Sequence, residues 1–113
     1  MQYMLLIYGN EDAWNDLATT GRDALDAAHA ELLGDLTASG ELILSNELST
    51  TDAKVVRRTD DRLLVTDGPF TESKEMVGGF YIVDVESVDR AVAIAARLEE
   101  TRFSQVEIRA LMH

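Results

Sequence analysis

Gln2-Tyr3-Met4-Leu5-Leu6-Ile7-Tyr8 is apolar on both faces of an extended chain. Side chains alternate along a strand, so Tyr3, Leu5 and Ile7 share one face and Met4, Leu6 and Tyr8 the other. A strand of this kind sits centrally and needs cover on both sides. Phe80–Val85 repeats the pattern late in the chain, after Gly78-Gly79.

Working outward, Gly9-Asn10 ends the first strand, and 11–20 reads as a connection anchored by Trp14 and Leu17. Leu25, Ala28, Leu32 and Leu36, spaced by three and four, predict a helix over 22–39, with Thr20 or Asp23 as its cap. Gly40 is placed to stop it, and Gly34 inside it marks a close packing contact. Strand two spans 41–48. A hairpin follows, 54–58 with 62–66, turning at Thr59-Asp60-Asp61. A second helix covers 88–99 behind a Ser87 cap, with Val88, Ala91, Val92, Ala95 and Leu98 as its inner face. The last strand, 105–111, turns Val106, Ile108 and Ala110 inward.

The order is β-α-β-(hairpin)-β-α-β. This predicts an α+β fold, a ferredoxin-like βαββαβ unit with an inserted β-hairpin. Helices cover one sheet face. The other is also apolar, and a second copy of the chain is its simplest cover, so a homodimer packed sheet to sheet is expected.

At 113 residues the chain suits a single domain with a core that needs no staples. Ten Lys+Arg against 21 Asp+Glu give a formal charge of −11, which repels phosphate backbones and anionic lipid. Nucleic acid and membrane are therefore not expected partners. With no cysteine, disulfides, thiolate nucleophiles and Cys-ligated metals are excluded, which fits a cytoplasmic protein. The apolar N-terminal run is too short to span a bilayer and lacks the basic flank of a signal peptide.

Asp67-Gly68-Pro69-Phe70-Thr71-Glu72-Ser73-Lys74-Glu75 joins the hairpin to the fifth strand and holds the single proline. Pro69 fixes its own φ and biases Gly68 toward extended backbone. The loop is either a rigid strand exit plugged by Phe70 or a stiff turn that aims Glu72, Ser73, Lys74 and Glu75 at a pocket. Asp67-Gly68-Pro69-Phe70, followed by Glu72, Lys74, Glu75 and Gly78-Gly79, resembles the DGPF-type branch of the YCII-related proteins. Tyr3–Tyr8 and Val106-Glu107-Ile108-Arg109 are similar to that family's first and last strands, so the resemblance spans 1–113 as one domain. Ala110 stands where the family usually has proline, and 99–103 lacks a proline often found after the second helix; both departures touch strand ends.

The resemblance implies a dimeric α/β-barrel. It also implies small-molecule enzymes, with members of lyase (dehydrohalogenase) type, and a link to extracytoplasmic-function sigma factors. It further implies a histidine on the first helix, a few residues after an arginine, as the catalytic group; Arg22 and His29 have that arrangement.

His29 shares the apolar stripe of Leu25, Leu32 and Leu36. It is either a core histidine satisfied by one carbonyl or carboxylate, or a general acid–base, the role its near-neutral pKa suits. Asp67 and Glu72 are the expected partners if the loop folds over it. The expected site is then His29 and Asp67 as the acid–base pair, with Glu72, Lys74, Phe70 and Tyr81 on the ligand. Two histidines, one of them the terminal His113, make a poor metal site, and no Walker loop, dinucleotide fingerprint or serine elbow is present, so no metal and no cofactor is expected. Three functions compete: an elimination-type enzyme, a ligand-binding or sigma-factor-associated regulatory module, and a structural dimer whose loop clasps its twin.

Overall fold

The computed structural model describes residues 1–68 and 75–113. Pro69 to Lys74 lie outside the described residues, and with them the expected roles of Phe70, Glu72 and Lys74.

The elements are β1 (Gln2–Gly9), α1 (Glu11–Thr20), α2 (Arg22–Ser39), β2 (Leu42–Glu47), β3 (Lys54–Thr59), β4 (Arg62–Asp67), β5 (Met76–Asp84), α3 (Val88–Ala95), a 3-10 turn (Glu99–Arg102) and β6 (Val106–Ala110). Four strands form one antiparallel sheet in the order β2-β5-β1-β6, and among the described residues β3 pairs only with β4. The two doubly apolar strands, β1 and β5, are the central pair. Tyr3, Leu5 and Ile7 join Tyr81 and Val83 beneath Leu32 and Leu36 of α2 and Ala91, Ile94 and Ala95 of α3. Leu5, Leu32, Leu36 and Ile94 are completely or almost completely buried, each contributing about 1.5–3 kcal/mol relative to exposure.

On the opposite face Met4, Leu6, Tyr8, Phe80 and Ile82 are half-buried and Leu44 is exposed. The register sets Met4 and Leu44 on either side of Ile82 and Leu6 opposite Phe80, giving a continuous apolar strip. The hairpin is apolar and open as well: Val56, Leu63 and Val65 are 59%, 58% and 56% exposed. Asp60 and Asp61 take the left-handed φ values, 51° and 63°, of a two-residue hairpin turn.

Local chemistry explains most element ends. Gly40 takes φ 78° and donates its N–H to Leu36 and Thr37 carbonyls, ending α2. Ser87 Oγ accepts from Arg90 N at 3.2 Å and starts α3. Arg90 then grips Glu41 with two bonds of 2.8 Å, tying α3 to the entry of β2.

Several expectations are corrected. Residues 11–20 form a helix, capped by Asn10 Oδ1 accepting from Ala13 N at 2.8 Å. The N-cap position of α2 is Gly21, which has no side-chain bond, and Asp23 lies inside the first turn. Gly34 is exposed, with open space where a Cβ would sit, so it marks no close contact. Ile94 rather than Val88 or Val92 points into the core, because α3 ends at Ala95 and its inner stripe runs Ala91, Ile94, Ala95 and then Leu98 beyond the helix end. Among the described residues no helix is long and apolar enough to cross a membrane.

Candidate functional site

A cavity of about 460 Å³ opens between α2, the sheet and the end of β2. Its walls are Ile7 on β1, Trp14 on α1, Leu25, His29 and Leu33 on α2, Ser45 and Leu48 by β2, and Gly78, Gly79 and Tyr81 on β5. Arg22, Asp26, Glu47 and Glu100 add charge.

A β-bulge shapes the floor. Ile7 pairs with Gly79 but Tyr8 with Val77, so Gly78 is the extra residue. The Trp14 indole lies against Gly9 and Gly78 so closely that a Cβ on either would come within 2.5 Å of the ring. Only glycine leaves that seat open.

His29 hangs from α2 one turn beyond buried Leu25 and reaches both walls. Its Nδ1 lies 2.6 Å from Tyr81 Oη, and its Nε2 lies 2.7 Å from Glu100 Oε2. The imidazole also stacks on the Tyr81 ring, centroids 5.8 Å apart. Tyr81 is 2% exposed and Glu100 6%. A carboxylate can only accept, so in neutral His29 the proton sits on Nε2, and Nδ1 accepts from the Tyr81 hydroxyl.

The electrostatics follow from these contacts. The hydrogen bond to Glu100 raises the His29 pKa above its ordinary value, against desolvation, with help from the charges of Glu100, Asp26 and Glu47. Burial pushes the Tyr81 phenol up to about 12, reinforced by the Glu100 charge and opposed by the Ser45 hydroxyl. Tyr81 therefore stays protonated at neutral pH, while His29 readily takes a proton. Such a row can relay a proton: Tyr81 Oη receives one as it gives its own to Nδ1, and Glu100 stabilises the imidazolium. Glu100 Oε1 is buried without a hydrogen-bond partner among the described residues, so this carboxylate's charge is met chiefly by His29.

At the rim Arg22 holds Glu47 through Nη2 at 3.2 Å and Asp26 through Nε at 3.2 Å. Arg22 thus bridges the first turn of α2 to the end of β2. Among the described residues no group of three His, Cys, Asp or Glu is placed to hold a metal ion.

The expected residues are divided by the structure. His29 and Tyr81 meet in the cavity wall. Asp67 is elsewhere: it ends β4, is exposed, and pairs with Lys54 across the hairpin. The carboxylate at His29 is Glu100. In sequence Glu100 is one of two adjacent glutamates with no periodic signal; the 3-10 turn after buried Leu98 leaves Glu99 half-exposed and turns Glu100 inward.

A family model, the YCII-related domain, matches residues 1–113. An uncharacterized protein of Rhizobium meliloti is 32% identical over 110 residues, covering 87% of this chain and 80% of that one. Among solved structures, the fold is similar to 5-chloro-2-hydroxyhydroquinone dehydrochlorinase from Burkholderia phenoliruptrix, in complex with 2,5-dihydroxybenzoquinone. That likeness has a TM-score of 0.59 at 17% identity and covers all of this chain and 95% of that one.

Proposed function

The chain belongs to the YCII-related domain family, and from that premise we propose that it is a small-molecule enzyme whose cavity performs proton transfer coupled to elimination. The observation that carries the reading is His29 held between Tyr81 Oη at 2.6 Å and Glu100 Oε2 at 2.7 Å in the wall of a 460 Å³ cavity. A packing histidine needs one partner; this one has a phenol on one nitrogen and a buried carboxylate on the other. In the proposed step, Tyr81 Oη takes a proton from a substrate carbon while passing its own to His29 Nδ1. In the non-aromatic keto tautomer of a ring substrate, the C–H electron pair forms the new ring double bond, and the leaving group departs from the adjacent sp3 carbon with its bonding pair. Glu100 orients the imidazole and stabilises its charge. The dehydrochlorinase of similar fold supports this reaction class.

The sheet order β2-β5-β1-β6, with α2 and α3 on one face, supports the ferredoxin-like reading, the hairpin being the insertion. The apolar strip of Met4, Leu6, Leu44, Phe80 and Ile82, and the open hairpin, support a homodimer of the α/β-barrel type. Asp67, paired with Lys54 on the hairpin, is proposed as a ligand contact rather than as the partner of His29.

The test is turnover of chlorinated hydroxyhydroquinones, followed by chloride release, with purified wild type and His29→Gln. Wild type should release chloride and the variant should lose about 100-fold or more while keeping its far-UV circular dichroism. Full activity in the variant refutes the role of His29. Wild-type binding without chloride release would instead favour a ligand-binding module.

A further inference from the structure

The charges around the cavity do not cancel. Arg22 is the one cationic side chain with a fixed charge in its described walls, and it is engaged by both Asp26 and Glu47. Glu100 adds a third carboxylate, 94% buried by its 6% exposure, with one oxygen lacking a donor among the described residues. One guanidinium against three carboxylates leaves the described lining at a formal charge of −2 with His29 neutral and −1 with it protonated. The chain as a whole, at −11, deepens that potential.

Shape adds a second restriction. The Trp14 ring sits against its glycine seat on one side, and the stacked pair of His29 and Tyr81 forms another wall. Flat aromatic walls favour a planar ring, and their π faces attract cations rather than anions.

We infer that the cavity selects planar ring compounds that are neutral or positively charged, and discriminates against carboxylates and phosphates of the same shape. The inference rests on the cavity being a ligand site, as proposed above, and narrows what enters it. Arg22 then does not bind a substrate anion; it is a rim residue whose charge is consumed by Asp26 and Glu47, joining α2 to β2.

The experiment uses three probes that share a para-substituted phenol and differ in charge: 4-hydroxybenzylamine, 4-hydroxybenzyl alcohol and 4-hydroxybenzoate. Calorimetry on the full chain at low salt should rank them amine, alcohol, benzoate. A unit charge at roughly 7 Å in a water-like dielectric changes affinity about three-fold per ligand charge, so amine and benzoate should differ by about ten-fold. Added salt should narrow the gap. Two variants separate charge from shape. Glu47→Gln should bring the amine-to-benzoate ratio down several-fold, and Arg22→Gln should raise it. Benzoate binding as tightly as the amine, or both variants moving the ratio the same way, overturns the inference. If all three probes bind equally, the charge rule fails and the ligand site stands; if none binds, the ligand-site reading fails with it.

Discussion

Replacing Glu100 by glutamine keeps the size of the side chain and removes its charge from beside His29. The bond it replaces is 2.7 Å long and nearly buried. A charge-assisted hydrogen bond of this kind contributes about 1.5–3 kcal/mol. That bond is the largest cause of the raised His29 pKa, so its loss should lower the His29 titration midpoint. Desolvation of the ring persists in the variant, so the midpoint should fall from above its ordinary value of about 6.5 to that value or below. The assay is two-dimensional NMR of the His29 imidazole Cε1–H resonance across pH 5 to 9, in wild type and in the variant. Stability must follow by linkage. A histidine with a raised folded pKa binds its proton more tightly in the native state, so its contribution is full below about pH 6.5 and is lost as pH rises through the folded value. The stability gap between wild type and Glu100→Gln should therefore be larger near pH 5.5 than near pH 8.5, by about 1.5–3 kcal/mol. An unchanged or higher midpoint in the variant, or a gap that grows with pH, would refute the assignment of Glu100 as the group that tunes His29.

Three further outcomes are expected. Gly78→Ala drives a methyl into the Trp14 ring and should cost about 1–3 kcal/mol in urea unfolding; Trp14 is the only tryptophan, so its emission should shift to the red. The proposed homodimer is expected to sediment as a dimer, and Ile82→Lys, which places a charge in the apolar strip, as a monomer; the same species for both would remove that face as the interface. Arg90 holds the Glu41 carboxyl at about 2, down from 4.5. A depressed carboxylate stabilises above its unfolded value and ceases to do so as pH falls through the folded one. The melting-temperature deficit of Arg90→Gln should thus be present at pH 7 and close between about pH 4.5 and 2.

Much of this molecule is legible along the chain because its signals are local. The double-faced apolarity of Gln2–Tyr8 and of 80–85 locates the two central strands, since only a strand covered on both sides keeps such a pattern. Gly40, Ser87 and the Asp60-Asp61 turn mark ends through their own backbone chemistry. The stripe Leu25, Leu32, Leu36 predicts the buried face of α2 and puts His29 on it. Residues 11–20 were harder: two anchors, Trp14 and Leu17, are too few to show a helical period, yet Asn10 caps a helix there.

The sequence by itself determined that a histidine would stand at the covered side of the sheet, and that a second apolar face would be left over. It did not determine the histidine's partner. Asp67 is the nearer choice by motif, but a β-hairpin carries it to Lys54. Glu100 lies 71 positions after His29, on a short 3-10 turn whose direction depends on how Leu98 packs. The glycine seat of Trp14 arises in the same way, from a bulge that exists only once β1 and β5 are in register. Periodicity decides which face a residue takes within its own element. Which two residues finally meet depends on how separate elements dock, and that is a property of the packed core alone.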